Sequence, residues 1–362
     1  MILYLYVSYF ILIQLLLFIQ QVKRKYFLCL LNFLTLYIFL SHYTGHNFQF
    51  FTIICLAIIS FIIFKYVSED AVVIFQIMLI IVFIFIYRFT ELFNSAILSF
   101  SISFFFLRII KLNFESRSDD NRLRNIDFVE YLSYLTYFPL ISLGPISSYR
   151  LFVNSELLSG NKISSININF LVEFCWALLK LTLFVSIVGF VNQFSIFDRE
   201  SFYYFILVYL NLYLLFSSQN SISILFSKSL GITIEENFNQ PLCAKNITEF
   251  WQKWHITLTD LARQLIYEPV SLNLARKLGR KFSFFASQIG LFVTFLIIGL
   301  WHDLSIKGFK LGLMHSLGLM THAVYKKFIR RKINIKILSN PCYKFCCWLL
   351  TFVFVAQSMR LF

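Results

Sequence analysis

Phe295-Leu296-Ile297-Ile298-Gly299-Leu300-Trp301-His302-Asp303 decides the class of this protein. The run is apolar enough to lie in lipid or in a dry protein interior, yet it ends on an imidazole. An ionisable group in or beside the hydrocarbon layer is costly enough to mark a functional position, and its partners should be sought. Outward from this run the chain keeps the same character: 59% hydrophobic residues, a mean hydropathy of +0.74, 46 Phe and only 14% charged residues among 362. No single soluble core buries that much apolar surface, so the bilayer is the main solvent.

Apolar runs occur near residues 2–20, 27–42, 48–65, 71–87, 92–110, 168–194, 201–216, 283–301, 308–325 and 344–358. A span of hydrocarbon takes about 20 helical residues, so an all-α polytopic membrane protein with about 10 transmembrane helices is expected. The region 128–275 mixes apolar runs with polar segments and is expected to hold interfacial or re-entrant helices packed inside protein. The first run has no basic residue before it and no small-residue cleavage site after it, which reads as a retained helix.

Basic residues cluster at Lys23-Arg24-Lys25, from Arg108 to Arg124, from Arg276 to Lys281 and from Lys326 to Lys336. Short basic loops stay in the cytoplasm, so the first helix starts outside and His302 lies toward the outer end of its helix. The net charge of +14 sits where topology needs it, against anionic lipid headgroups. No recognition motif for nucleic acid accompanies the charge. The seven cysteines lie mostly in or beside apolar helices, as buried free thiols do, and Cys342, Cys346 and Cys347 have no His or acidic neighbour to complete a metal set.

A second segment, Glu236-Asn237-Phe238-Asn239-Gln240-Pro241 through Asp260, carries more aromatic and ionisable groups than a plain span. Asn246 and Glu249 have capping-box spacing, which predicts a helix start. On that helix Trp251, Trp254, His255 and Leu258 recur at i, i+3, i+4 and i+7, gathering two indoles and an imidazole on one stripe, before Pro269 ends the run. An amphipathic interfacial helix with its tryptophans in the aromatic belt has the same pattern.

Three blocks resemble the membrane-bound O-acyltransferase (MBOAT) family, in particular its bacterial branch of alginate O-acetyltransferases and teichoic-acid D-alanyl transfer proteins. The first is Tyr137 through Arg150, with Gly144-Pro145-Ile146 at its centre. The second is Asn237 through Pro269, similar to the family's Asn-Phe-x-x-Pro and Glu-Phe-Trp-x-x-Trp-His. The third is Gly299-Leu-Trp-His302 followed by Gly312-Leu-Met-His315. The separations of 47 residues from His255 to His302 and 13 from His302 to His315 agree with it.

The resemblance implies a funnel-like membrane fold in one membrane domain: N-terminal transmembrane helices over 1–127, the catalytic core over 128–325, and a basic cytoplasmic loop with a last helix over 326–362. It makes His302 the family's near-invariant histidine and His255 its second. A neutral imidazole can take the proton of an attacking hydroxyl, so His302 is expected to be the general base, with His255 orienting or polarising the reacting group. Trp251, Trp254 and Trp301 would narrow and dry the passage. Arg263 would bind an anionic donor group or hold its helix at the interface, and His315 would shuttle protons, bind substrate or serve as a packing histidine. No bound cofactor is expected. The donor is an acyl thioester on the cytoplasmic side, acetyl-CoA or an acyl carrier protein. The acceptor is an extracytoplasmic polysaccharide, or an extracytoplasmic acyltransferase that passes the group on, and the setting is the plasma membrane.

Asp303 stands where the family often has Gly, and Ser148, Gln240 and Gln252 replace basic residues of related motifs. The ending Ile266-Tyr267-Glu268-Pro269-Val270 looks closer to the alginate-type branch, which favours acetyl transfer over D-alanyl transfer. Other classes fit less well. A transporter or scaffold lacks the paired intramembrane charges or matched broken helices that transport uses. A zinc hydrolase needs a carboxylate or a helical His-x-x-x-His in frame, and no Gly-x-Ser-x-Gly elbow supports a serine hydrolase.

Overall fold

The computed structural model describes Ser8 and residues 21–44, 48–66, 96–116, 126–141, 143–155, 168–191 and 201–361. The apolar run near 71–87, and that near 2–20 apart from Ser8, lie outside the described residues. Among those described, all regular elements are helical. The remaining apolar runs form α1 (Gln21–Thr44), α2 (Phe48–Tyr66), α3 (Ala96–Ser116), α6 (Ile168–Val191), α7 (Phe202–Ser229), α11 (Ser283–His302), α12 (Ile306–Val324) and α13 (Pro341–Ser358). Four stretches, Ile168–Val191, Phe202–Ser229, Arg280–His302 and Pro341–Leu361, are long and apolar enough to cross a membrane among the described residues. Shorter helices fill the polar regions: α4 (Phe128–Leu135), α5 (Tyr149–Val153), α8 (Ile247–Lys253), α9 (Ile256–Ala262) and α10 (Glu268–Leu278).

The chain divides into two compact units. One comprises Met1–Leu178 with Ser218–Glu235. Its centre is α4, where Tyr131 and Tyr134 are fully buried and polar ties from three helices meet. Asn32 of α1 donates to the Ser133 carbonyl at 3.1 Å, Ser60 of α2 shares a hydrogen bond with the Tyr131 hydroxyl at 2.6 Å, and Arg108 of α3 donates to the Tyr134 carbonyl at 3.3 Å. Polar groups in a dry interior hold position strongly because leaving them unmade is costly.

Gly144 to Ser147 form a buried loop in this unit, leading through Ser148 into α5. A Cβ on Gly144 would lie 2.6 Å from Leu140 Cα, so only glycine lets the chain pass. Glu235 accepts from Ser147 Oγ at 2.5 Å and the Ser148 N–H at 3.0 Å, and pairs with Lys111 at 3.2 Å. Glu115 accepts the Tyr149 N–H at 2.9 Å. Helix α7 runs past residue 216, where hydropathy alone would end it. Ser217 to Asn220 are buried there, Asn220 donates to the Leu143 carbonyl at 3.1 Å, and Ser223 donates to that of Pro139 at 2.5 Å.

The other unit comprises Leu179–Ser217 with Glu236–Phe362. Its core gathers Tyr209, Phe250, Trp251, Phe295, Ile298, Leu319 and Val355. Helices α11 and α12 form an antiparallel hairpin packed backbone to backbone. A Cβ on Gly299 would lie 2.3 Å from the Gly308 carbonyl oxygen, and one on Gly312 would lie 2.5 Å from that of Phe295. Small residues permit such close approach between helices in lipid, where apolar side chains alone give little drive to associate.

Gly312→Ala should therefore destabilise the detergent-solubilised protein by about 1–3 kcal/mol, read as a lower thermal midpoint. Gly189→Ala, which meets nothing within 4 Å in the last turn of α6, should leave the midpoint unchanged or raise it. Equal effects of the two would contradict the close-packed hairpin.

Candidate active site

The local chemistry of the segment from 236 to 260 builds the site. Asn246 caps α8 as expected, its side chain accepting the Glu249 N–H at 2.8 Å. Glu249 reaches back one residue further than a capping box requires, accepting the Lys245 N–H at 2.9 Å. The sequence spacing predicts a single helix with Trp251, Trp254, His255 and Leu258 on one stripe, and here the structure differs. Helix α8 ends at Lys253, Trp254 is extended, His255 is left-handed with φ 47 and ψ 52, and α9 starts at Ile256.

The break has an identifiable cause. The segment at Asn237 to Asn239 runs beside it, bridging Phe238 to Trp254 and donating the Asn239 N–H to the Lys253 carbonyl at 3.0 Å. The Asn237 carbonyl accepts the Ile256 N–H at 2.9 Å. Its side-chain oxygen accepts the N–H and hydroxyl of Thr257 at 3.0 and 2.9 Å, and Asn237 itself is fully buried. These bonds take over groups that a continuous helix would pair internally. Pro269, expected to end the run, instead sits inside helix: a π-helical turn over Arg263–Tyr267 widens the coil just before α10 and makes room for a residue with no N–H.

The two tryptophans part company at the break. Trp254 enters an aromatic box of Phe238 (ring centroids 5.2 Å), Phe250 (5.5 Å), Tyr209 (6.0 Å) and Tyr213 (6.3 Å). Trp251 packs on Phe295 at 4.8 Å and donates its indole N–H to His315 Nδ1 at 3.3 Å. An indole only donates, so His315 accepts at Nδ1 and carries its proton on Nε2. His315, 4% exposed, is thus held by a side chain on another helix.

His255 is 5% exposed, between Phe216 and Phe238, each with its ring centroid 6.3 Å away. His302 is the last residue of α11, its ring against Trp301 at 4.6 Å. It lies close enough to both His255 and His315 for its charge to act on each. The three histidines that the sequence separates by 47 and 13 residues therefore fall within one unit, His255 and His315 buried and His302 half-buried within electrostatic reach of both. Burial, aided by the His302 charge, pushes the His255 imidazole down to about 3. It is neutral at physiological pH, able to orient or polarise a group through hydrogen bonds.

Arg263 lies apart from this chemistry. It is about half exposed and pairs with Asp260 at 3.3 Å and with Glu268. Asp303 has φ −150, extended backbone that any residue adopts, and its carboxylate accepts from Ser305 Oγ at 2.5 Å while Ser305 caps α12. The departure from glycine thus becomes part of the turn between α11 and α12. Among the described residues no group of three His, Cys, Asp or Glu side chains is placed to hold a metal. Asn237, Tyr209 and Tyr213 had no assigned role from sequence. Only Asn237 carried a signal, as the first residue of the Asn-Phe-x-x-Pro block.

A helical membrane protein with a histidine cluster is what the fold and site define, and comparison with known proteins gives its class. The profile of the membrane-bound O-acyltransferase family matches residues 42–359, and the chain belongs to that family, whose members are acyltransferases. It is 27% identical over 271 residues to the teichoic acid D-alanyltransferase of Bacillus subtilis, covering 72% of this chain and 67% of that protein. It is 27% identical over 241 residues to the peptidoglycan O-acetyltransferase of Helicobacter pylori, covering 63% and 42%. It is 31% identical over 154 residues to the probable alginate O-acetylase of Pseudomonas aeruginosa, covering 42% and 26%. The chain thus spans well under half the length of the last two.

A neutral buried His255 has a measurable consequence. Its ring gains a proton on unfolding below its ordinary value of 6.5, so stability is fully present above that pH and falls as pH drops toward 3. His255→Asn, which tolerates the left-handed backbone, should remove about 1.4 kcal/mol per pH unit from that acid slope. Parallel stability profiles of the two proteins between pH 7 and 5 would contradict the burial of a neutral ring.

Proposed function

We propose that this chain is a multi-pass plasma-membrane O-acyltransferase with about ten transmembrane helices around a funnel. It would move an acetyl group from a cytoplasmic thioester, acetyl-CoA or an acyl carrier protein, toward an extracytoplasmic polysaccharide. What supports the reading is that His302, half-buried at the end of α11, is within electrostatic reach of the buried His255 and His315, with Trp301 against His302 and Trp251 bonded to His315. His302 takes the proton of the acceptor hydroxyl as its oxygen attacks the thioester carbonyl. The carbon–sulfur bond then breaks, the thiolate recovers that proton from the imidazolium, and an ester remains on the acceptor. His255 holds the reacting carbonyl or hydroxyl by a neutral hydrogen bond. The Trp251 indole fixes the His315 tautomer, which leaves an Nε2–H to donate within the cluster. Trp254 supports His255 from the aromatic box, and excluding water protects the thioester from hydrolysis. Arg263, already paired with two carboxylates, stiffens the π-helical turn and is a poor choice as an anion site.

The acceptor end is a polysaccharide or a second, extracytoplasmic acyltransferase that receives the group first. Acetyl transfer is supported by the Tyr267-Glu268-Pro269 ending and by two relatives named as O-acetyl-transferring proteins. D-Alanyl transfer in teichoic-acid modification is the second reading, supported by the relative that covers 72% of this chain.

Ester content of the producing cell's surface polymers tests this directly, with membrane abundance of each protein checked. His302→Ala should remove O-acetyl esters as fully as deletion of the gene. Loss of D-alanyl esters instead would establish the second reading, and wild-type ester levels in His302→Ala would overturn the catalytic assignment.

A further inference from the structure

Gln288 of α11 is 7% exposed, and neither atom of its side-chain amide meets a hydrogen-bond partner among the described residues. An amide buried that way is unfavourable, and a bound polar group would relieve it. Its position gives that group a direction. Gln288, Phe295 and His302 are spaced by sevens, so they lie along one face of α11, which drifts by only about 20° per heptad. The middle residue of the row, Phe295, meets Trp251 of the histidine cluster.

Helix α12 gives Gln288 nothing to bond. The hairpin sets Gly299 against Gly308 and Phe295 against Gly312, and the same antiparallel register puts the buried Leu319 level with Gln288. The fourteen residues from Gln288 to His302 correspond to about 21 Å along the axis. Toward the start of the helix, seven and eight residues before Gln288, stand the exposed Lys281 and Arg280. The row therefore reads, from one end to the other, as two cations, a buried amide, an aromatic wall and the imidazole.

We propose that Gln288 binds the arm of the thioester donor at the end remote from the sulfur. This rests on the acyl-transfer reading above. The phosphopantetheine arm shared by coenzyme A and acyl carrier proteins is a thin chain with its thiol at one end and amide, hydroxyl and phosphate groups toward the other. A glutamine suits that end because it donates and accepts at once, whereas a charged side chain at this depth would be costly. With the thioester carbon at His302, the phosphate end of a fully extended arm just reaches the level of Gln288, and the remainder of the donor beyond the phosphate lies toward Arg280 and Lys281.

The test uses the full chain in lipid nanodiscs and three donors: acetyl-CoA, an acetylated carrier protein, and S-acetyl-N-acetylcysteamine, which ends too short to reach from His302 to Gln288. Thiol release in the presence of a polysaccharide acceptor is followed for wild type, Gln288→Leu and Gln288→Asn. Gln288→Leu should raise KM for a long donor about tenfold at nearly unchanged kcat, and leave kcat/KM for the short donor as in wild type. Gln288→Asn should recover part of the loss. An effect on acetyl-CoA alone or on the carrier alone identifies the source of the arm. An equal loss with all three donors, or no loss, overturns the proposal. If wild type releases thiol from none of them, the acyl-transfer reading fails. Direct binding of coenzyme A and of the thiol-bearing carrier then decides: about tenfold weaker binding to Gln288→Leu supports the assignment, while equal or absent binding refutes it.

Discussion

The buried side chain of Asn237 is the constraint on which the site depends. Its oxygen accepts two hydrogen bonds from Thr257 and its carbonyl accepts one from Ile256, so α9 begins against Asn237 and not as an extension of α8. Together with the Phe238 bridge to Trp254 and the Asn239 bond to the Lys253 carbonyl, that clamp opposes a continuous helix through Trp254 and His255. The clamp turns His255 into the left-handed region, a conformation uncommon for residues other than glycine, and its maintenance requires the surroundings to over-determine it. The aromatic box around Trp254 and the bridge from Phe238 supply that determination.

A second constraint positions the partner. The glycines of α11 and α12 bring two backbones together, and the hairpin then carries His302 at one end of α11 and His315 inside α12. Trp251 of α8 joins the two arrangements through Phe295 and His315. Three histidines from three elements are thus placed by apolar packing and a few buried hydrogen bonds. Burial keeps His255 neutral, the state in which it can hold a reacting group by a hydrogen bond.

Much of this was legible in sequence, and the rest was hidden for physical reasons. Among the described residues, the apolar runs fall within helices because composition decides them, though the ends of α1, α3 and α7 lie six or more residues away. The end of α7 was missed because Ser217 to Asn220 are polar by hydropathy but buried by tertiary hydrogen bonds. The histidines were found through residue type, depth in apolar surroundings and family resemblance. Their routes into the cluster were not, since helical periodicity at Trp251, Trp254 and His255 is overridden by Asn237, more than a dozen residues away along the chain. Pro269 misled in the same way, because a π-helical turn absorbs the missing donor. Periodicity assumes that a segment pairs only with itself.

The central claim is that His255 and His302 work as one unit in acyl transfer. A double-mutant cycle on the chain reconstituted in lipid vesicles tests it most directly, with thioester turnover measured for His255→Ala, His302→Ala and the two together at matched protein levels. The account predicts that the double variant is no slower than the slower single variant, because removing either ring disables the same assembly. Losses that multiply would contradict it, since the two histidines would then act independently.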